Sequence, residues 1–216
     1  MVTNLSDTNS LLSIWMREIR DIGVQGDRMR FRRNMERIGE IAAYEISKTL
    51  VFEDVTVQTP MGEAPCYQLL QEPVVATILR AGVPLHQGIL NYFDKADAAF
   101  VAAYRKHHRD GTFEIKQEYV TTPSLEGRTL IIADPMLATG ASLGLAIESL
   151  LEHGEPASIH IVAAIACTQG VEYVLRKFPQ ASIWAGAIDE ELTGKGYIVP
   201  GLGDSGDLSY GSKRQN

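Results

Sequence analysis

The segment from Leu130 to Ile147, LIIADPMLATGASLGLAI, constrains the fold more than any other stretch of the chain. A continuous apolar run of strand length ends at Asp134, a loop of small residues follows, and Leu143 and Ile147 then recur at helical spacing. A strand that is apolar on both faces belongs in a sheet covered on both sides, the usual setting of parallel strands. A strand–loop–helix turn points backbone N–H groups and a helix N-terminus into one space, and such a space suits phosphate. Thr139 and Ser142 add hydroxyl donors, and Gly140 lets the main chain approach a ligand closely. Asp134 stands at the carboxyl end of the strand, where open α/β sheets take their ligands. Many such turns bind nothing, so on geometry alone a phosphate site and a plain connection are equal alternatives.

The alternation extends in both directions. PVVATILRAG is an apolar strand running into a Gly turn, with a helix from Leu85 to Tyr92, and DAAFVAAYR is a second strand. Gly154 marks a helix stop, and strand 157–165, helix 168–177 and strand 182–187 continue the series. Strands alternating with helices predict an α/β fold, a parallel twisted sheet flanked by helices. Ahead of the series, Leu11, Leu12, Trp15, Met16 and Ile19 mark one helix behind an Asn9 or Ser10 cap. Phe31, Met35, Ile38, Ala42, Ile46 and Leu50 mark the face of a longer helix starting near Asp27. Its polar face holds Arg30, Arg32, Arg33 and Arg37, read as a solvated surface in preference to an effector-phosphate site. Val55 to Gln71 reads as a hairpin turning at Pro60-Met61-Gly62. The charged segment from Lys106 to Lys116, with Gly111, reads as a mobile loop, and the tail from Ser212 to Asn216 as frayed. His107, His108, Asp189 and Glu190 read as solvated surface, and Trp15 and Trp184 as core or interface. No linker or internal repeat interrupts the chain, so a single domain is expected over residues 1–216.

Lys and Arg total 20 against 27 Asp and Glu, a net charge of −7. That argues against a broad nucleic-acid surface, which needs a basic face, but not against a small phosphorylated substrate held by a few local arginines. Cys66 and Cys167 stand apart from each other and from any Cys/His cluster, so they read as reduced thiols and no zinc site is expected. No apolar run approaches the ~20 residues of a membrane span, and MVTNLSDTNS lacks the character of a signal peptide. These features predict a cytoplasmic protein with no membrane partner.

The wording of the loop separates the alternatives. It lacks the GxxxxGK[ST] form of NTPase loops, and no GxGxxG marks a dinucleotide site. DPMLATGAS instead resembles the loop that binds phosphoribosyl pyrophosphate (PRPP) in the uracil phosphoribosyltransferase family, whose usual form is DPMLATGGS. ILRAG at 78–82, followed by Gly88, and GYIVPGLGDSGD at 196–207 resemble the same family, in the right order and spacing. The resemblance implies a type I phosphoribosyltransferase fold with N-terminal helices, a β-hairpin arm and a C-terminal base-binding hood. It implies an enzyme that joins uracil to the ribose C1 of PRPP, giving UMP and pyrophosphate.

By the same resemblance, Arg80, Ala81 and Gly82 hold pyrophosphate, and Arg105 is a second PRPP-contacting arginine. Asp134, Pro135, Met136, Leu137, Ala138, Thr139, Gly140, Ala141 and Ser142 hold the ribose hydroxyls and the 5′-phosphate. Tyr197, Ile198, Gly203, Asp204 and Ser205 form the uracil hood, and Asp204 also faces PRPP. Arg80, Arg105, Asp134 and Asp204 are the expected catalytic set, with Mg²⁺ brought in on the pyrophosphate. A homodimer or larger homo-oligomer and a nucleotide effector such as GTP are further implied partners. The chain departs from the family pattern at Ala141, where Gly is usual, at Ser205, where Ala is usual, and in its ending LSYGS. None of these removes a charged or donor group assigned above. Two competing readings are a phosphoribosyltransferase for another base and a non-catalytic PRPP- or UMP-sensing regulator that binds RNA. The GYIVPGLGD wording opposes the first and the net charge of −7 the second.

Overall fold

The computed structural model describes residues 1–107 and 113–212, with the backbone alone at 103–107 and 113–118. In chain order the elements begin with β1 (Val2–Asn4), α1 (Leu11–Arg20), α2 (Arg28–Ser47) and the hairpin β2 (Phe52–Thr59) and β3 (Gly62–Leu69). They continue with β4 (Val74–Leu79), α3 (Val83–Tyr92), β5 (Asp97–His107), β6 (Phe113–Thr121), β7 (Thr129–Ala133), β8 (Met136–Leu137) and α4 (Ala141–Leu151). The last are β9 (Ser158–Cys167), α5 (Thr168–Lys177), β10 (Ser182–Asp189), β11 (Glu191–Leu192), β12 (Ile198–Val199) and α6 (Ser205–Tyr210).

The main sheet has the order β1-β10-β9-β7-β4-β5-β6, and β8 adds to β9. Every pair is parallel except β5 with β6. The two-residue period of the strands sorts their side chains onto two cores. Val74, Ala76, Leu130 and Ile132 pack with Leu143, Ile147 and Leu150 of α4 on one face. Val75, Ile131, Ala133 and Val162 pack with Phe31, Met35, Ile38 and Ile46 of α2 and Leu85 and Ile89 of α3 on the other. The expected helix-flanked α/β sheet is therefore the fold, parallel but for the β5–β6 pair. Among the described residues no helix is long and apolar enough to cross a membrane.

The caps fall where the sequence places them. Ser10 accepts from the Leu12 N–H at 3.2 Å, and Asp27 accepts from Met29 and Arg30 at the start of α2. The Arg-rich face of α2 is largely satisfied within the chain: Arg30 pairs with Glu18 at 3.1 Å, Arg33 with Glu36 at 2.6 Å, and Arg32 donates to the Ser209 carbonyl. α2 stops at Ser47, and Leu50 reaches the same core from beyond the helix. The structure differs from expectation in two ways. β1, β8, the β11–β12 ribbon and α6 are elements that the sequence does not announce. The expected loop 106–116 is strand at both ends, with Lys106 opposite Glu114 and His107 opposite Phe113, while its centre, 108–112 and with it His108, lies outside the described residues. Phe113 and Ile115 alternate with Glu114 and Lys116, which is strand periodicity hidden under a high charge. Of the tail, residues 213–216 also lie outside the described residues.

Candidate active site

Because β4, β7, β9 and β10 run parallel, their carboxyl ends share one edge of the sheet. β7 delivers Asp134 to that edge. The loop behind it is tied to β9 by Asp134 N–H to Val162 O and Ile165 N–H to Pro135 O, both 3.0 Å, and by the pairing of Met136 and Leu137 with Ile165 and Ala166. Gly140 then caps α4 at φ 81°, a left-handed backbone that glycine takes without steric cost. Asp134, Met136, Ala138, Thr139 and Ser142 line the resulting concavity. Asp134 keeps part of its surface open to the cleft, yet the protein around its carboxyl desolvates it. Burial pushes its pKa up to about 6, and a hydrogen bond from the Met136 N–H offsets only part of this rise.

β4, next to β7, delivers the Arg80 turn. Thr77 Oγ1 donates to Ala133 O at 3.1 Å and holds the two strand ends together. A Cβ on Gly82 would run into Thr77 Oγ1 and stand 2.7 Å from Ala133 O, so only glycine lets this turn lie so close to Asp134's strand. Arg80 is exposed and approaches Asp207 Oδ1 of α6 at 3.5 Å.

The chain after β10 forms the third wall. β11 and β12 pair as a two-stranded ribbon, and Ile198 and Leu202 anchor it in the core. Asp204 caps α6 by accepting from the Asp207 N–H at 2.9 Å. A Cβ on Gly206 would lie 3.7 Å from the Ala81 Cβ, and one on Gly196 would lie 3.9 Å from Thr139, so this wall meets both other loops. Gly203 is exposed, Tyr197 is about half exposed, and Ser205 is buried with no partner for its hydroxyl among the described residues. The structure thus brings together the Arg80–Gly82 turn, the loop 134–142 and the segment 197–205. It places the backbone of Arg105 in β5, opposite Ile115, and describes nothing of that side chain.

One expectation is corrected here. Asp189 is not solvated surface: it is 8% exposed and forms a two-pronged ion pair with Arg20 at 2.8 Å on each prong. The partner stands on α1, 169 positions earlier, which no local reading of the sequence reveals. Glu190, beside it, is exposed as expected.

A family model described as Uracil phosphoribosyltransferase matches residues 6–212. The uracil phosphoribosyltransferase of Porphyromonas gingivalis is 50% identical over 213 residues, covering 98% of this chain and 99% of that one. That of Pyrococcus furiosus is 35% identical over 213 residues, covering 97% and 90%. A solved protein structure from Aquifex aeolicus superposes with a TM-score of 0.87 at 33% identity over 98% of each chain. The likeness runs nearly from end to end and takes in all three walls of the cleft, so this chain belongs to the uracil phosphoribosyltransferase family.

Proposed function

We propose that this protein transfers the phosphoribosyl group of PRPP to N1 of uracil, forming UMP and pyrophosphate. The observation that carries the reading is the meeting of the Arg80 turn, the Asp134 loop and the 197–205 segment at one edge of the sheet. The loop 134–142 takes the 5′-phosphate on its N–H groups and the hydroxyls of Thr139 and Ser142, as helix starts do. Asp134 accepts from the two ribose hydroxyls. Pro135 follows it, so no second acid shares that task.

Uracil N1 bonds to C1 as the bond to pyrophosphate breaks and the N1 proton leaves to solvent or the departing pyrophosphate, so the sugar gains cationic character and negative charge leaves with the pyrophosphate. Arg80 and Arg105 serve that departing charge. Asp134 and Asp204 are oxygen donors suited to a hard cation, and Mg²⁺ is commonly held by one or two carboxylates together with substrate phosphates. Asp204 would hold it here, and the ion would supply further charge neutralisation on the leaving group. Main-chain groups of Ile198, Gly203 and Ser205 complement the acceptor–donor–acceptor edge of uracil. Cytosine inverts two of those groups and would leave buried polar atoms unpaired, at about 1–3 kcal/mol each.

A single domain spanning 1–216 and a cytoplasmic location belong to the same reading, as does a homo-oligomer. Phe52, Val57, Met61 and Tyr67, apolar and exposed on the hairpin arm, support self-association. The test is turnover of labelled uracil with PRPP and Mg²⁺. UMP should form in proportion to enzyme and cytosine should be left unused; folded protein that makes no UMP would refute the proposal.

A further inference from the structure

We propose that Asp189, clamped by Arg20, is a positioning residue that sets the uracil-binding segment 198–205 in its working shape. The inference rests on the reading that this segment takes uracil. Asp189 is the last residue of β10, and both its oxygens receive the Arg20 guanidinium at 2.8 Å. The same Oδ2 accepts the Gly201 N–H at 2.9 Å, and the same Arg20 Nη1 donates to the Gly201 carbonyl at 3.1 Å. Both polar groups of one loop residue are therefore gripped by one ion pair. Gly201 is buried and stands two residues before Gly203 and four before Ser205. Residues 200–203 belong to no helix or strand, so no regular ladder holds them. Arg20 is itself well seated, because the Gln25 amide donates to the Ile19 and Arg20 carbonyls at the end of α1.

A buried ion pair adds little to stability, since desolvation offsets the attraction between its charges. What this pair does is fix orientation: it ties the end of α1 and the end of β10 to the two successive peptide groups that flank Gly201 in the base-binding loop. Base recognition by main-chain groups demands such fixing, because the loop has no recognition side chain whose rotamer can compensate for a displaced backbone.

The test uses Asp189→Asn and Arg20→Lys in the full-length enzyme. Asn presents an amide nitrogen to the arginine in place of one oxygen, and Lys keeps the charge but loses the fork. With each variant folded by its melting curve, the KM for uracil should rise by about tenfold or more in Asp189→Asn and less in Arg20→Lys, while the KM for PRPP stays within about twofold. Hydrogen exchange of the Val199 amide and amides 201–204 should quicken with exchange in the loop 134–142 unchanged. A purely structural role would instead lower the active fraction, and so kcat, without moving either KM; that result, or an unchanged uracil KM, overturns the proposal. Should Asp189→Asn not fold, the partly exposed Arg20 carries the test through Arg20→Lys. Wild-type enzyme that makes no UMP overturns the uracil reading and the positioning role together. Wild-type turnover with unmoved variants overturns the positioning role alone.

Discussion

Asp134→Asn should make the ligand-free protein more stable while removing most of its ability to use PRPP. Burial raises the Asp134 carboxyl from 3.8 to about 6, so keeping it ionised at pH 8 costs the folded state roughly 3 kcal/mol, at about 1.36 kcal/mol per pKa unit. Asn is free of that penalty, and the raised value already includes the offset from the Met136 N–H. The net gain is therefore up to about 3 kcal/mol, or a rise in Tm of several degrees, roughly 2–4 °C per kcal/mol for a chain of this size. The sign follows from the direction of the shift. A carboxyl raised in the folded state carries its full penalty above about pH 6 and loses it as pH falls toward 3.8, so variant and wild type should converge near the lower value. Against PRPP the effect reverses. Two ribose hydroxyls lose a charged acceptor, at about 1.5–3 kcal/mol each, so kcat/KM for PRPP should fall by about 10²-fold or more. Thermal melts across this pH range and steady-state kinetics with varied PRPP decide the matter. An unchanged kcat/KM would remove Asp134 from the site, and a lower Tm at pH 8 would refute the desolvation argument.

Three further perturbations follow from the geometry. Ser205→Ala removes a buried hydroxyl that has no partner among the described residues, so the uracil KM should change by less than about tenfold, whereas Ser205→Pro deletes the N–H proposed to read the base and should abolish uracil use. Ser205 opens α6, where proline fits, so a folded Pro variant that kept activity would sink backbone recognition at this position. Gly82→Ala should cost about 1–3 kcal/mol and raise the PRPP KM, because its methyl must displace Thr77 or the end of β7; wild-type melts and kinetics would show the turn to be roomier than described. His160 is buried and accepts from Trp184 Nε1 at 3.2 Å, and burial lowers its pKa from 6.5 to about 4. Its contribution to stability is complete above pH 6.5 and is lost as pH falls toward 4, up to roughly 3 kcal/mol. His160→Gln should therefore show a flatter loss between pH 7 and 5 in urea unfolding, and an identical loss would discount the residue.

What the sequence discloses is what neighbouring residues determine together. The strand–loop–helix at 129–151 could be read because its apolar run, its small-residue loop and its helical face are contiguous. α1 and α2 could be read because their caps and faces lie within a few turns of one another. Contacts between distant segments leave no local trace. Asp189 in isolation is an acidic residue after an apolar strand, and only the fold brings Arg20 to it. β1 was invisible for a related reason: three residues hold their place by main-chain pairing with Ile183, Trp184 and Ala185, which needs no particular side chain. The meeting of Ala81 with Gly206 and of Thr139 with Gly196 likewise depends on which strands are neighbours, and the order β9-β7-β4-β5 cannot be read from any one segment.

The position of β1 also bears on how this protein behaves in concentrated solution. A sheet bordered by a long bare strand offers its unpaired amides and carbonyls as a template for other chains. Here β10 would be that border, and residues 2–4 cover its first half, continued by Leu5 N–H to Ala185 O and by the Ser6 hydroxyl to Gly186 O. β1 itself is too short to recruit a further strand, so it works as a guard against edge-to-edge polymerisation. Deleting residues 1–6 would leave the three walls of the cleft in place and uncover Ile183 to Gly186 along the border. Light scattering should then record aggregates growing with concentration and time, at temperatures where the intact chain stays clear.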